Sequence, residues 1–390
     1  MRAFRRKEVF TFGFRGFPGV QGGIESHVSQ LAPRLVAEGH QVTACFRTPY
    51  VSRNCGAEWK GVRLCRVWTA RSTYLEALVH SFVCAVVAIF RRPELVHIHG
   101  IGPALVTPLV RLAGIPVVVT HHGPDYEREK WGRAARAVLR LGEAAGMRFA
   151  SRRIAISQTV GTLVRSKYGR DCDVIPNGVA LPELPAMAER VQTLGLVPGR
   201  YILTVGRLVA EKRQLDLVRA FAAAKPPGWK LVVVGHADHG SDYAQRLLSE
   251  AVATKDVVMA GFRTGEDLHQ LYAHAGLFVL ASSHEGLPIA LLEAMSYGIP
   301  ILVSDIAANL EVVNDPACAF HTGNVEELAA RIGFATARIP AKLDRESSRR
   351  ERVGRYGWDA IARQTAAVYD ELLLPHEEPR SGTGHVARGI

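Results

Sequence analysis

The feature that most constrains the fold is a regular alternation of short apolar runs with amphipathic runs, which occurs twice along the chain. In the first half the strand-like runs are residues 9–13, 41–46, 95–99, 117–121 and 153–156, and helix-like runs follow them, the first at 23–38. A second series begins near Tyr201 and continues to about residue 305. This alternation predicts parallel strands covered by helices. We therefore predict an α/β protein with two Rossmann-like domains in tandem.

A proline-rich stretch at residues 179–198 predicts the boundary between the two series. We assign residues 1–180 to a first domain, 181–198 to a linker and 199–355 to a second domain. A helix-like run at 356–374 is expected to return to the first domain, and the polar residues 375–390 are expected to be disordered. Ligands of such sheets bind at the carboxyl ends of the strands. Two facing domains would therefore form a binding site in the cleft between them.

Glu285 and Glu293 are separated by seven residues in the segment SHEGLPIALLEAM. The segment reads as a loop that becomes helical at Pro288, because proline suits the first position of a helix. The free N–H groups of Gly286, Leu287 and the first helical turn would attract an anion. Acids beside a phosphate site predict a ligand that carries both phosphate and sugar hydroxyls. The spacing by itself is also typical of a surface helix with two solvated acids.

Two cations and a histidine follow other predicted strands. Arg207 and Lys212 come after the first strand of the second series, where positive charge would neutralise a departing diphosphate. A solvated basic turn is the simpler alternative. His122 follows a strand of the first series, where it could accept a hydrogen bond from a sugar hydroxyl, although an isolated histidine is often structural.

The glycine-rich loop between the first strand and the first helix includes Gly22 and Gly23, which allow a backbone to approach a phosphate closely. A dinucleotide site is disfavoured, because the G-x-G-x-x-G spacing is absent and the second strand does not end in an acidic residue. Asp171 and Asp173 match a D-x-D metal signature, but they lie next to the linker, and we interpret the match as coincidence.

The charge of the chain is concentrated in its first half. Residues 1–180 contain 26 Lys and Arg against 12 Asp and Glu, whereas the remainder contains 22 against 25. This imbalance favours an anionic partner, such as an acidic membrane surface or a lipid phosphate, or it reflects only a solvated basic surface. Nucleic acid is disfavoured, because no recognised binding motif is present.

Other features of the composition favour a cytoplasmic protein without a resident metal. The six cysteines are scattered and show no zinc-type spacing, which predicts reduced thiols. The longest apolar run, residues 78–90, is shorter than the ~20 residues that span a bilayer, and no secretory signal is recognised.

Five segments resemble, in order and spacing, the retaining glycosyltransferase family 4, whose members have the two-domain GT-B fold. They are GGIESHVSQLAPRLVAEGHQV, VVVTHHG, VIPNGV, GRLVAEK and EGLPIALLEAM, and the likeness extends from about residue 9 to residue 374. The loop 13–23 and the segment 129–133 are similar to the branch that contains rhamnosyltransferases of exopolysaccharide synthesis. That branch often has Asp where His122 stands.

The resemblance implies a role for each candidate residue. Glu285 would contact hydroxyls of the donor sugar, Glu293 those of the ribose, and His122 would support the sugar being transferred. The diphosphate would be held by two cations and two N–H groups, those of Arg207, Lys212, Gly286 and Leu287. The first helix would approach the phosphates and the acceptor through Gly22 and Gly23.

The resemblance also implies a metal-independent hexosyl transfer with retained configuration, in which the nucleotide-diphosphate sugar is a substrate and no cofactor is needed. The acceptor would be a saccharide or a lipid-linked saccharide, with peripheral contact to an anionic inner membrane face. Three alternatives remain open. One is a non-catalytic glycan-assembly subunit, which the clustered charges disfavour. The others are a nucleotide-sugar epimerase, which the helical glutamate segment disfavours, and a sucrose-type synthase on the same fold, which the modest length disfavours.

Overall fold

The computed structural model describes residues 7–51, 56–70, 75–127, 131–185, 187–237, 242–338, 349 and 353–374. The expected disordered tail, 375–390, therefore lies outside the described residues, as do residues 129 and 130 of the segment that is similar to rhamnosyltransferases.

The first half of the chain forms an eight-stranded sheet with the order β3-β4-β2-β1-β5-β6-β7-β8. All neighbouring strands are parallel except β3, which is antiparallel to β4. The strands are β1 Glu8–Phe12, β2 Gln41–Arg47, β3 Glu58–Trp59, β4 Val62–Val67, β5 Leu95–His99, β6 Val117–His121, β7 Arg152–Ala155 and β8 Asp173–Val174. The helices are α1 Gly23–Ala37, α2 Glu76–Arg91, α3 Thr107–Leu112, α4 Arg133–Phe149 and α5 Gln158–Tyr168.

The central strands of this sheet are buried along almost their whole length because helices cover both of its faces. Val9 and Leu95 pack in one core with residues of α1. Phe10 and Val96, the next residues along the same two strands, pack in a second core with α2, α3, α4 and α5. Successive side chains of a strand point to opposite faces, so each strand supplies side chains to both cores, one under each layer of helices.

The second half forms a six-stranded parallel sheet with the order β11-β10-β9-β12-β13-β14. The strands are β9 Tyr201–Val205, β10 Lys230–Val234, β11 Val257–Gly261, β12 Leu277–Leu280, β13 Ile301–Ser304 and β14 Ala319–Phe320. The helices are α6 Glu189–Gln192, α7 Gln214–Ala224, α8 Asp242–Ala253, α9 Gly265–Ala273, α10 Ile289–Ser296, α11 Ala307–Val313 and α12 Val325–Arg338.

The last helix, α13 (Trp358–Leu373), packs on α1 of the first half. Trp358, Ile361 and Tyr369 of this helix belong to the first-half core. The chain therefore passes between the halves twice, after β8 and before α13. The two crossings touch each other, because the N–H of Val179 donates to the carbonyl of Tyr356 at 2.7 Å.

Candidate active site

In the second sheet the strands that follow β9 along the chain are added first on one side of it, as β10 and β11, and then on the other, as β12, β13 and β14. The loops after β9 and β12 therefore leave toward opposite faces of the sheet and flank one crevice. Arg207 and Lys212 lie in the loop after β9, and Glu285 lies in the loop after β12. The Lys212 ammonium contacts the Glu285 carboxylate at 2.5 Å, and both side chains are mostly buried. A backbone bond from Ser283 N–H to the Glu211 carbonyl at 2.8 Å also joins the loops. One predicted cation, Lys212, thus meets the first predicted acid, and the other, Arg207, lies in the same loop as Lys212.

The loop after β12 also contacts the first domain. A Cβ on Gly286 would lie 2.2 Å from the His122 carbonyl oxygen, so only glycine permits this approach. The carbonyl of Leu287 accepts a hydrogen bond from the Asn177 side chain at 3.0 Å. Asn177 belongs to the VIPNGV segment and is buried. The loop that carries Glu285 is therefore held against the end of the first sheet.

The helix after this loop begins at Ile289, one residue later than the sequence indicated. Pro288 has φ −76° and ψ 104°, which is extended backbone, so it is the N-cap and not the first helical residue. Glu285 still precedes the helix, and Glu293 still lies inside it.

Glu293 has a different environment from Glu285. Its carboxylate accepts a hydrogen bond from the Tyr272 hydroxyl at 2.9 Å. It lines a cavity of about 270 Å³ together with Tyr297, Ser26 and Trp358, so both domains contribute to the wall. Burial raises the pKa of Glu293 to about 7, although the Tyr272 hydrogen bond acts in the opposite direction. The cavity lies between the domains, beside the chain crossing at Val179.

The start of α1 forms part of the first-domain edge. Gly22 is its N-cap with φ +156°, and a Cβ there would collide with the Glu25 carboxylate at 1.9 Å. That carboxylate accepts the N–H of Arg15 at 2.9 Å, so it folds back over the beginning of the helix. Gly23 is the first helical residue, and a Cβ there would meet no atom within 4 Å.

His122 belongs to a group of histidines at the carboxyl ends of β5 and β6. Its Nε2 lies 3.1 Å from Nδ1 of His99, and its ring centroid is 5.1 Å from that of His27. Burial lowers the pKa of His27 to about 4, while Asn177 raises it to a lesser degree. Burial, and then the neighbouring imidazoles, hold the pKa values of His99 and His122 well below the usual range. The three rings are therefore neutral at physiological pH.

The sequence did not point to this histidine group. His27 lies on a helix and His99 at a strand end about 70 residues away, so no spacing pattern connects them. The repeated histidines at the end of β5, in VHIHG, were the available signal. The expectation that the chain lacks a metal-ligand cluster considered spacing along the sequence alone, and the fold assembles this group from three separate elements.

Glu143 is a second feature that the sequence did not reveal. It is fully buried on α4 and accepts hydrogen bonds from His121 Nε2 at 3.0 Å, Tyr168 Oη at 2.6 Å and Tyr126 Oη at 3.2 Å. The Lys167 ammonium contacts it as well. Burial raises the pKa of Glu143, but the hydrogen bonds from His121, Lys167 and Tyr168 outweigh it and lower the pKa to about 2. This network fixes the strand end that precedes His122.

The D-x-D pair does not converge on a common point. Asp171 forms an ion pair with Arg165 at 2.9 Å, and Asp173 forms one with Arg152 at 2.8 Å. Each carboxylate thus has its own arginine partner.

Two family models match the chain. The model described as Glycosyltransferase Family 4 matches residues 21–182, and the model described as Glycosyl transferases group 1 matches residues 190–343. The chain is 26% identical over 305 residues to the GDP-mannose:cellobiosyl-diphosphopolyprenol alpha-mannosyltransferase of Xanthomonas oryzae pv. oryzae. The aligned region covers 73% of this chain and 76% of the relative. It is 29% identical over 230 residues to the UDP-Gal:alpha-D-GlcNAc-diphosphoundecaprenol alpha-1,3-galactosyltransferase of Escherichia coli, with 55% and 59% covered.

The fold is similar to that of solved glycosyltransferases. The sucrose-phosphate synthase of Thermosynechococcus elongatus superposes with a TM-score of 0.80 at 23% identity, over 94% of this chain and 99% of that one. This likeness confirms the predicted GT-B fold, in which two Rossmann-like domains face each other.

Proposed function

Because the chain belongs to glycosyltransferase family 4, we propose that it is a retaining, metal-independent hexosyltransferase that uses a nucleotide-diphosphate sugar. The observation that carries the proposal is the Lys212–Glu285 ion pair at the crevice between β9 and β12. A cation and an acid that contact each other there can separate to receive a phosphate and a sugar hydroxyl.

The donor diphosphate would replace Glu285 as the partner of Lys212. Arg207 lies in the same loop, and the N–H groups of Gly286 and Leu287 precede α10, so positive potential comes from two sides of the crevice. Glu285, once released from Lys212, would accept hydrogen bonds from hydroxyls of the donor sugar. Charge that develops on the leaving phosphate would thus meet cations that are already in position.

The transfer step would depend on positioning and on charge stabilisation. We expect the acceptor hydroxyl to attack from the face that the leaving phosphate occupies, and the phosphate to help in accepting its proton. His122 would support the reacting sugar beside Gly286, and Gly22 and Gly23 would face the phosphates and the acceptor. Glu293 would bind the ribose hydroxyls from its interdomain cavity.

For the acceptor we propose a lipid-diphosphate-linked saccharide of cell-surface or exopolysaccharide synthesis. Two relatives with different donors, GDP-mannose and UDP-Gal, both have a diphosphopolyprenol-linked acceptor in their names. The relatives therefore support the acceptor class more strongly than they support a particular donor.

The outer surface of α2, α3 and α4 supports contact with an anionic membrane on the cytoplasmic side. Large apolar side chains are exposed there, with relative exposure of 84% for Phe90, 87% for Leu112 and 62% for Leu141. The exposed basic residues Arg91, Arg92, Arg111, Arg140 and Arg148 lie on or next to the same helices. An apolar surface that carries arginines matches an interface of acyl chains and phosphates.

None of the helices among the described residues combines the length and apolarity needed to cross a bilayer. Binding to vesicles of anionic and of neutral lipid, at low and at moderate salt, tests the proposed contact. We expect binding to anionic vesicles that weakens with salt, because exposed charges are screened. Absent or salt-insensitive binding would contradict the electrostatic part of the proposal.

The enzymatic proposal is tested with a panel of UDP-, GDP- and dTDP-sugars, by measuring donor binding and slow release of the nucleoside diphosphate. For the donor that is used, Lys212→Ala and Glu285→Ala should each reduce transfer by at least ~100-fold, the scale of losing one preorganised charge contact.

Matched controls are Lys255→Ala, on an exposed residue two positions before β11, and Glu326→Ala in α12. Lys255 lies near the amino end of β11, whereas the crevice lies at the carboxyl ends of the strands. Near wild-type turnover in either crevice variant would refute the site. A donor that binds without release or transfer would favour the non-catalytic subunit.

A further inference from the structure

Three histidines from separate elements meet at the edge of the first sheet. They are His27 in α1, His99 at the end of β5 and His122 after β6. One ring nitrogen from each residue lies within 4.8 Å of those from the other two. His99 Nδ1 lies 3.1 Å from His122 Nε2. Nitrogen ligands at ~2.0–2.1 Å from a tetrahedral metal ion are about 3.4 Å apart, so small side-chain rotations would complete such a geometry.

The side chain of Asn177 lies next to His27. Its Oδ1 and the Nδ1 of His27 are both buried, and the two side chains interact as hydrogen-bond partners. His27 is 3% exposed and Asn177 is 4% exposed. Histidines that bind metal ions commonly donate their second ring N–H to a neighbouring oxygen, which fixes the orientation of the ring.

The chemistry of the group selects the ligand. Imidazole nitrogens suit zinc, copper, nickel and iron, whereas magnesium and calcium prefer oxygen ligands. Three histidines with a further position open toward the cleft match the ligand set of several zinc sites. His122 is half-buried, while His27 and His99 are buried, so the open side of the group is at His122. Asn177 is the neighbour whose side-chain oxygen could accept a ring N–H and orient His27.

We propose that His27, His99 and His122 bind one divalent transition-metal ion of the zinc type, and that the bound ion inhibits transfer. The inhibitory part rests on the proposed function, because it requires that His122 supports the donor sugar. A metal ion on His122 Nε2 takes the lone pair that would accept a sugar hydroxyl. It also adds positive charge beside Gly286, on the first-domain side of the cleft.

Binding is tested without reference to activity, on the untagged full chain after treatment with a chelator. We expect one Zn²⁺ per chain by calorimetry, and Co²⁺ in its place should show the visible absorption bands of a four-coordinate ion. His27→Gln and His122→Gln should each weaken Zn²⁺ binding by at least about 100-fold, the upper range for losing an outer-shell partner. The matched control is His321→Gln, because His321 is 79% exposed and contacts Glu327 in the second domain.

The use of two triad variants protects the test against misfolding, because each can be compared with the wild type by circular dichroism and thermal midpoint. Unchanged Zn²⁺ binding in a folded triad variant, no stoichiometric binding by the wild type, or equal weakening by His321→Gln would overturn the site. Inhibition predicts that Zn²⁺ reduces transfer by the wild type and leaves His27→Gln much less affected. If Zn²⁺ binds as expected and no sugar donor is turned over, the proposed function fails while the metal site stands.

Discussion

Replacement of Glu293 by glutamine should stabilise the protein at alkaline pH. Burial raises the pKa of this carboxyl from 4.5 to about 7 in the folded state. Because the folded pKa is higher than the unfolded one, the native state holds the proton more tightly. The penalty is absent below about pH 4.5, grows as the pH rises, and is complete above about pH 7. At roughly 1.4 kcal/mol per pH unit, the shift corresponds to about 3 kcal/mol.

Glu293→Gln preserves the shape of the side chain and an oxygen for the Tyr272 hydroxyl, and it removes the charge. Wild type and variant should therefore unfold at similar urea concentrations at pH 4.5. At pH 8 the variant midpoint should be higher by roughly 1–2 M, if the urea dependence is about 2 kcal/mol per M. If Glu293 binds the ribose, the same variant should bind the nucleotide more weakly.

Glu327→Gln is the control in the same domain. The Glu327 pKa is lowered by hydrogen bonds from His321, which is the opposite direction, so loss of its charge should bring no gain at pH 8. Equal midpoints of wild type and Glu293→Gln at pH 8, or a difference that does not change between pH 4.5 and pH 8, would refute the reasoning.

Three other perturbations follow from the contacts of the site. Gly286→Ala should hold the two domains further apart, because its Cβ would lie 2.2 Å from the carbonyl oxygen of His122 in the first domain. Scattering with saturating donor should then show a more open form than the wild type, and equal profiles would count against the contact. Glu143→Gln should lower the free energy of unfolding at pH 7 by roughly 3 kcal/mol. This difference between wild type and variant should vanish as the pH falls from about 4.5 toward 2, the lowered pKa of Glu143. A difference in stability that does not change with pH would contradict the lowered pKa of Glu143. For transfer, the double variant Lys212→Ala/Glu285→Ala should lose little more than either single variant, and fully multiplicative losses would show that the two residues act independently.

Sequence reasoning identified the central strands because each is a largely apolar run that ends near glycine or a polar residue. It missed β4, a six-residue strand that is only partly buried and contains Arg63 and Arg66. It also missed β3 and β14, which have two residues each and exist only through pairing with a neighbouring strand. Pro288 illustrates the uncertainty of one residue at a helix start. The division of the chain at residues 181–198 remains a prediction.

The candidate site was partly predictable for a similar reason. Arg207, Lys212 and Glu285 follow strands, and strand ends of one parallel sheet converge at one edge. Glu293 was located on its helix, but the cavity that raises its pKa depends on tertiary packing. The roles of Glu143 and His27 also depend on packing, since a helical position alone does not show which side chains from other elements surround it.

The return of α13 to the first domain has a consequence for the order of events during synthesis. Nδ1 of His97 in β5 lies 2.6 Å from the Tyr369 hydroxyl oxygen, and Lys7 forms an ion pair with Asp370. The ribosome makes these partners about 200 residues after β8, which at 5–20 residues per second takes roughly 10–40 s. During that interval the α1 face of the nascent first domain lacks its covering helix, so the domain that is translated first completes its core last.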